Sequence, residues 1–247
     1  MGKTFPNGVV ALRNASFSVR EHEFVSLLGP SGCGKSTALR ILAGLIEPSD
    51  GDVVWRGNAA PDGASGDIGF VFQEPTLMPW ASVAGNVYLP LKLAGISRDA
   101  AMPRITEALA RVGLAAFADA YPRELSGGMK MRVSIARALV TNPKLLLMDE
   151  PFAALDEITR FKLNNDLLVL WAAMRQTAIF VTHSVFESVY LSSRIVVMTQ
   201  RPGRVHAEIA VEAPYPRTEA FRTSPEYAAL CRTVSEALVE AMAEEAA

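Results

Sequence analysis

The chemically telling residues of this chain stand at a few fixed spacings. Gly29-Pro30-Ser31-Gly32-Cys33-Gly34-Lys35-Ser36 fits the pattern G-x-x-x-x-G-K-[ST], which suits a polyphosphate. Backbone N–H groups surround a phosphate chain only where no side chain intrudes, and Gly29, Gly32 and Gly34 supply that clearance. Lys35 adds a point charge for the β- and γ-phosphates, and the Ser36 hydroxyl is placed to ligate Mg2+. Cys33 contributes its backbone N–H, and Thr37 lies on the same helix start. A second group is Asp149-Glu150, which follows Leu145-Leu146-Leu147-Met148 and so ends a buried strand. In an open α/β sheet that is the edge where ligands bind. Asp149 is positioned to hold Mg2+ through water, and Glu150 to orient and deprotonate an attacking water. Gln73 and His183 also close strand-like runs. Alone, each reads as an ordinary polar residue. Beside the glycine loop, Gln73 would reach the metal or the lytic water, and His183 would hydrogen-bond the γ-phosphate and fix the water against Glu150.

A third element, Leu125-Ser126-Gly127-Gly128-Met129, carries little weight by itself. Ser126 is a good N-cap, and Val133, Ala136 and Val140 give the helix behind it a buried face. Gly127 and Gly128 leave first-turn N–H groups bare, which makes an anion site. The glycine loop already serves the phosphates of the same chain, so this site is spare.

These residues need a frame that holds strand ends against helix starts. Residues 9–19 alternate as an edge strand does, and Phe24-Val25-Ser26-Leu27-Leu28 is an apolar run stopped by Gly29, as a buried strand is. Residues 36–45 read as a helix with Gly44 near its end. Residues 47–67 are rich in Gly, Asp, Pro and Ser around Val53-Val54-Trp55, a strand between loops. Another buried strand covers 68–72. From 75 to about 140 the pattern is helical, interrupted by Pro79, Pro90, Pro103 and Pro122. Strand-like runs return at 145–148, 179–182 and 195–198, separated by helical stretches at 157–175 and 184–191. Residues 224–247 form an Ala/Glu-rich helix. Strands alternating with helices predict a parallel sheet covered on both faces.

Composition narrows the class. With 247 residues, half of them hydrophobic, the chain can bury a full core. A net charge of −2 leaves no basic stripe for nucleic acid. No apolar run approaches the roughly 18 residues needed to cross a bilayer, so the expectation is a cytosolic chain whose membrane role comes through a partner. Two cysteines, Cys33 and Cys231, offer neither a disulfide framework nor metal-ligand spacing.

With the glycine loop, Gln73, Leu125-Ser126-Gly127-Gly128, Asp149-Glu150, Ala154-Leu155-Asp156 and His183 all in order, the chain resembles the ATP-binding subunit of an ABC transporter over roughly residues 5–205. The resemblance implies an α/β P-loop NTPase with a mixed, mostly parallel sheet, an antiparallel β edge and an inserted α-helical lobe. It implies a single domain, with a RecA-like core at about 1–75 and 141–215, the helical lobe at about 76–140 and a C-terminal helical tail at about 216–247. ATP and Mg2+ are the implied cofactors. Phe5 occupies the position where the family stacks an aromatic on adenine, and Gly29, Pro30, Ser31, Gly32, Cys33, Gly34, Lys35, Ser36 and Thr37 hold the phosphates. Ser36, Gln73 and Asp149 hold the metal; Glu150, His183, Gln73 and Lys35 are the catalytic set. The spare anion site then serves a second copy: Ser126, Gly127, Gly128, Met129 and Asp156 act in trans across a head-to-tail pair, a homodimer or a pairing with a second ATPase subunit. Integral-membrane permease subunits and, indirectly, a solute-binding protein complete the assembly, at the cytoplasmic face of a bacterial inner membrane. The coupling surface falls around residues 73–86, where Trp80 reads equally well as a core residue of the helical lobe.

Three departures refine the resemblance. Met129 stands where the family often has Gln, as in bacterial importers of nitrate, sulfonates, taurine and thiamine-precursor pyrimidines. Leu77-Met78-Pro79-Trp80, Pro151-Phe152-Ala153-Ala154-Leu155-Asp156 and Arg201-Pro202-Gly203-Arg204 share that likeness. Ser184 replaces the acidic residue that commonly follows the histidine, which should tune activity. Phe5 comes almost at once, where relatives have a preceding strand, so a truncated start or a missing edge strand is expected, with weaker adenine stacking. Exporter subunits share the same core, and soluble ABC ATPases of DNA repair or translation need a second module or long coiled-coil insertions. A P-loop kinase has no use for Ser126-Gly127-Gly128. A nucleotide-sensing module would not need both Glu150 and His183.

Overall fold

The computed structural model describes residues 1–55, 58–59 and 67–243. Along the chain run β1 (Lys3–Thr4), β2 (Val10–Leu12), β3 (Phe24–Leu28), α1 (Lys35–Leu42), β4 (Val54–Trp55), β5 (Asn58–Ala59), β6 (Ile68–Val71), α2 (Val83–Leu93), α3 (Arg98–Arg111) and α4 (Gly127–Leu139). Then follow β7 (Leu145–Asp149), α5 (Glu157–Met174), β8 (Thr177–Thr182), α6 (Val185–Leu191), β9 (Arg194–Met198), β10 (Val205–Ala210), α7 (Glu219–Arg222) and α8 (Pro225–Ala243). The chain forms two compact units, residues 1–65 with 177–247, and residues 66–176.

In the first unit β3 lies between two parallel neighbours, with Phe24 opposite Ala178 and Leu28 opposite Thr182 on β8, and Val25 opposite Arg194 on β9. All five residues of β3 are buried. A strand covered on both faces has no polar side to present, which is why Phe24-Val25-Ser26-Leu27-Leu28 reads as a continuous run. β10 pairs antiparallel with β9, and none of its residues is fully buried, as suits an edge. Phe24, Leu27, Leu28, Phe180 and Tyr190 are the large side chains of this core. A short antiparallel pair, β1 with β2, and a second, β4 with β5, stand apart from that sheet.

In the second unit β6 and β7 pair in parallel, Ile68 opposite Leu145. The helical stretch between them supplies α2, α3 and α4, with Val83, Val87, Leu91, Ile105, Leu109, Val133 and Ala136 buried. The fold is therefore α/β, mostly parallel, with an antiparallel edge and a helical lobe.

Several local expectations shift. The edge strand expected over 9–19 is only Val10–Leu12, and a strand before Phe5 is present as the two residues Lys3–Thr4. Pro90 and Pro103 lie inside α2 and α3 instead of ending them. Each proline costs one ladder bond, about 3 kcal/mol, and the buried faces of these helices offset it. The strand around Val53-Val54-Trp55 is β4, while 56–57 and 60–66 of its flanking segment, and residues 244–247 of the tail helix, lie outside the described residues. Among the described residues no helix is long and apolar enough to cross a membrane.

Candidate functional site

In the first unit the glycine loop runs from the end of β3 to the start of α1, as the sequence requires. Gly34 stands at the N-cap of α1 with φ 106° and no side chain to cap the helix. A Cβ there would lie 2.6 Å from Ala11 O, so both the turn and the close approach demand glycine. The helix start therefore presents backbone N–H groups and the positive end of the α1 dipole to the loop. Lys35 is 3% exposed, and its Nζ donates to Gly29 O at 2.7 Å and Pro30 O at 2.9 Å. Cys33 is buried, with Sγ 3.9 Å from Lys35 Nζ. Ser31 and Gly32 are exposed, while Ser36 and Thr37 are half-buried at the helix start. Phe5 is half-buried in the turn between β1 and β2, where Gly8 N–H donates to Phe5 O at 2.9 Å and Lys3 Nζ stands 5.7 Å from the ring centroid.

His183 is exposed one residue beyond β8. Its neighbours are tied down by Thr182 and Glu187, which the sequence reading did not single out, together with Ser184. Thr182 Oγ1 donates to the buried Glu187 carboxylate at 2.6 Å and accepts from Ser184 N–H at 2.9 Å. Ser184 Oγ in turn accepts from Glu187 N–H at 3.3 Å and caps α6. The serine that departs from the usual acidic residue is thus a capping residue, and the chain on both sides of His183 is fixed.

In the second unit Asp149 is the last residue of β7 and is 6% exposed. Glu150 follows with φ 44°, a left-handed conformation that costs a non-glycine residue roughly 1–3 kcal/mol. The turn is closed by Ala153 N–H to Glu150 O at 3.1 Å and Leu155 N–H to Phe152 O at 3.2 Å. It delivers Asp156 to the N-cap of α5, where its carboxylate accepts from Thr159 N–H at 2.9 Å. That bond holds the Asp156 carboxyl below its ordinary pKa.

The same place receives the start of α4. Ser126 Oγ accepts from Met129 N–H at 3.3 Å, as an N-cap does, and Ser126 and Gly127 are exposed. Gly128 is buried: a Cβ on it would stand 2.9 Å from Thr159 Cγ2, and one on Gly127 would stand 3.4 Å from Leu155 Cδ2. The second glycine therefore answers to helix packing as well as to bare N–H groups. Ser126, Gly127, Gly128 and Asp156 are gathered at the facing ends of α4 and α5, with Met129 half-buried behind them.

Gln73 is exposed two residues past β6, on a loop held by Arg137 of α4. Arg137 donates to Thr76 O and Pro75 O, both at 2.8 Å, and to Thr76 Oγ1 at 2.9 Å. Further along, the buried Asn86 accepts from Met78 N–H at 2.7 Å and donates to the carbonyls of Met78, Ala81 and Ser82. This clamp leaves Trp80 77% exposed, so the core reading of Trp80 is set aside. The sequence reading singled out neither: Arg137 acts on carbonyls 61 and 62 residues back along the chain, and Asn86 closes a local loop that matches no standard turn pattern.

The donors suggested for a metal, Ser36, Gln73 and Asp149, are all oxygens, which suits Mg2+. Among the described residues no group of three or more His, Cys, Asp or Glu side chains could hold a metal. A Mg2+ ion that keeps its waters and binds substrate phosphate needs no such cage.

A family model described as "ABC transporter" matches residues 12–153. An uncharacterised ABC transporter ATP-binding protein of Methanocaldococcus jannaschii is 49% identical over 90% of this chain and 81% of its own length. The taurine import ATP-binding protein of Rhizobium johnstonii is 45% identical over 90% of this chain and 86% of its own length. Among solved structures, a dimeric ATP-binding cassette in a post-hydrolysis state, bound to ADP and Pi, is similar with a TM-score of 0.75 and 34% identity, over 86% of this chain and 97% of that one.

Proposed function

The chain belongs to the ABC transporter ATP-binding family and is an ATPase, and from that premise we propose that it energises a bacterial importer by closing as a pair around ATP. One observation carries the proposal. Two helix starts have the bare N–H groups that suit an anion, the glycine loop before α1 and the exposed Ser126-Gly127 start of α4 set beside Asp156. One nucleotide needs only the first of them. In a head-to-tail pair, each ATP lies between the loop of one copy and Ser126, Gly127, Gly128, Met129 and Asp156 of the other, with Phe5 against adenine. The chain works as one domain in which residues 76–140 form the lobe that moves.

In this scheme Lys35 and the loop amides of residues 29–37 bind the polyphosphate, and Glu150 takes a proton from the attacking water while His183 and Gln73 orient it. Mg2+, held by Ser36, Gln73 and Asp149, would supply neutralisation of the charge on the phosphates. Hydrolysis leaves two anions, ADP and phosphate, in the seam, and their repulsion favours reopening. The lobe transmits the movement through Trp80, whose exposure on a loop clamped by Asn86 suits docking to a permease subunit at the cytoplasmic membrane face. The likeness to a taurine importer supports a small anionic or heterocyclic solute of the nitrate, sulfonate or taurine type.

The test uses Glu150→Gln. With Mg2+ and ATP the variant should bind nucleotide, lose about 10²- to 10⁴-fold in phosphate release, and accumulate as a dimer on a sizing column. A variant that stays monomeric and turns over at the normal rate would refute the scheme.

A further inference from the structure

A cradle of backbone amides makes a demand on its far side. Where successive N–H groups turn inward to an anion, the carbonyls of the same stretch turn outward, and each needs a donor. Three of the loop's carbonyls are answered close by. Lys35 Nζ serves Gly29 O and Pro30 O, and Gly34 O accepts from Ala38 N–H at 2.9 Å as the first bond of α1. Gly32, at φ 78°, is answered from 169 residues away: Arg201 Nε donates to Gly32 O at 3.1 Å. A Cβ on Gly32 would stand 3.4 Å from Arg201 Nη2, so the guanidinium lies along the loop.

Arg201 sits in the turn joining β9 to β10, and that turn is anchored. Thr199 Oγ1 shares its single proton between Gln200 O at 3.0 Å and Pro202 O at 3.2 Å, and accepts from Arg204 N–H at 3.0 Å. Gly203 N–H donates to Ala11 O at 2.9 Å, and Arg13 N–H to Gly203 O at 3.0 Å, which stitches the turn to the chain around β2. Gly203 also abuts the loop, since a Cβ there would fall 2.1 Å from Cys33 O. Two consecutive loop residues, Gly32 and Cys33, are thus backed by one turn.

We propose that Arg201 is a positioning residue of the nucleotide site: its guanidinium holds the Gly32 carbonyl outward and keeps the loop's N–H groups converged on the phosphates. This rests on the reading of residues 29–37 as the ATP phosphate site. Arg201 acts through the loop and not on the reacting atoms, so its effect falls on affinity and not on turnover at saturation. ATP and ADP share the loop and should weaken together.

The experiment compares wild type, Arg201→Ala and Arg201→Lys as full chains. It measures Kd for Mg–ATP and Mg–ADP by calorimetry at low and high salt, steady-state KM and kcat for phosphate release, and the nucleotide-free thermal midpoint. For Arg201→Ala, Kd and KM should rise about 3- to 10-fold, the equivalent of one partly exposed charge-assisted hydrogen bond. Turnover at saturation and the thermal midpoint should hold, and Arg201→Lys should recover part of the loss. An unchanged Kd and KM in Arg201→Ala would overturn the proposal. So would a loss that vanishes at high salt, which would reduce Arg201 to a screened charge. Failure of the wild type itself to bind ATP would strike the underlying reading instead.

Discussion

Gly128→Ala separates two reasons for a glycine at the start of α4. The added Cβ would stand 2.9 Å from Thr159 Cγ2. Carbon pairs rest at about 3.5–4.0 Å, so α4 and α5 must part by roughly 0.6–1.1 Å. Overpacking of that kind costs about 1–3 kcal/mol, and replacing glycine by alanine in a helix returns about 1 kcal/mol. The net loss of stability is therefore about 0–2 kcal/mol, too little to unfold the chain. Activity is more sensitive. The displacement moves Ser126 and Gly127 relative to Asp156, and a misplacement of about 1 Å costs on the order of 10²-fold in rate. Thr159→Ser removes the offending methyl and keeps both the hydroxyl and the N–H that donates to the Asp156 cap. Phosphate release should fall on the order of 10²-fold in Gly128→Ala and recover most of the way in Gly128→Ala/Thr159→Ser, with urea midpoints recorded alongside. If Thr159→Ser alone is active but the double variant is as inactive as Gly128→Ala, the packing account is wrong. Gly128 would then be required where the nucleotide is bound.

Two stability predictions concern the first unit. Arg217 is 6% exposed; its Nη1 donates to the carbonyls of Val189, Tyr190 and Ser192, and its Nη2 to those of Val211 and Ala213. Arg217→Met keeps the volume but strands these carbonyls, and at about 1–3 kcal/mol for each that stays dry the loss should be about 3 kcal/mol or more by urea unfolding; a loss below about 1 kcal/mol would refute this. Glu23 is a pH marker. Burial works to raise its carboxyl, but the Arg194 fork at 2.7 and 2.9 Å and the Arg20 N–H outweigh burial and hold it below the ordinary 4.5. A depressed folded pKa stabilises the fold above the unfolded pKa, and that contribution is lost as pH falls through the folded value. The gap in urea midpoint between wild type and Glu23→Gln should therefore be full at pH 7 and shrink below about pH 4.5, whereas a gap constant down to pH 3 would contradict the assignment.

The sheet strands were legible because burial on both faces leaves an unbroken apolar run, as in β3 and β7. The start of α4 was legible because a cap is a local device, as at Ser126, whereas the capping role of Asp156 emerged only with the turn that delivers it to α5. The short reach of β2 was not legible, since alternation continues past Leu12 where the backbone makes only isolated bonds, Arg13 N–H to Gly203 O and Ala15 N–H to Met1 O, in place of a ladder. Pro90 and Pro103 misled for the opposite reason: tertiary burial overrode a local breaker. Trp80 could not be placed either way, because its exposure depends on the Asn86 clamp.

By itself the sequence determined the make-up of the glycine loop and the phosphate chemistry proposed for it. A cradle of consecutive amides, a lysine and a hydroxyl is built from adjacent residues, so its requirements are written at adjacent positions. Tertiary structure alone decided what stands behind those residues: Thr159 against Gly128, Arg201 and Gly203 against the loop, Arg137 on the Gln73 loop, and Arg217 on the end of α6. Each of these is a side chain or a missing side chain meeting backbone or side-chain atoms from a distant segment. Which segments meet is set by the packing of the whole core, and no local pattern of residues encodes it.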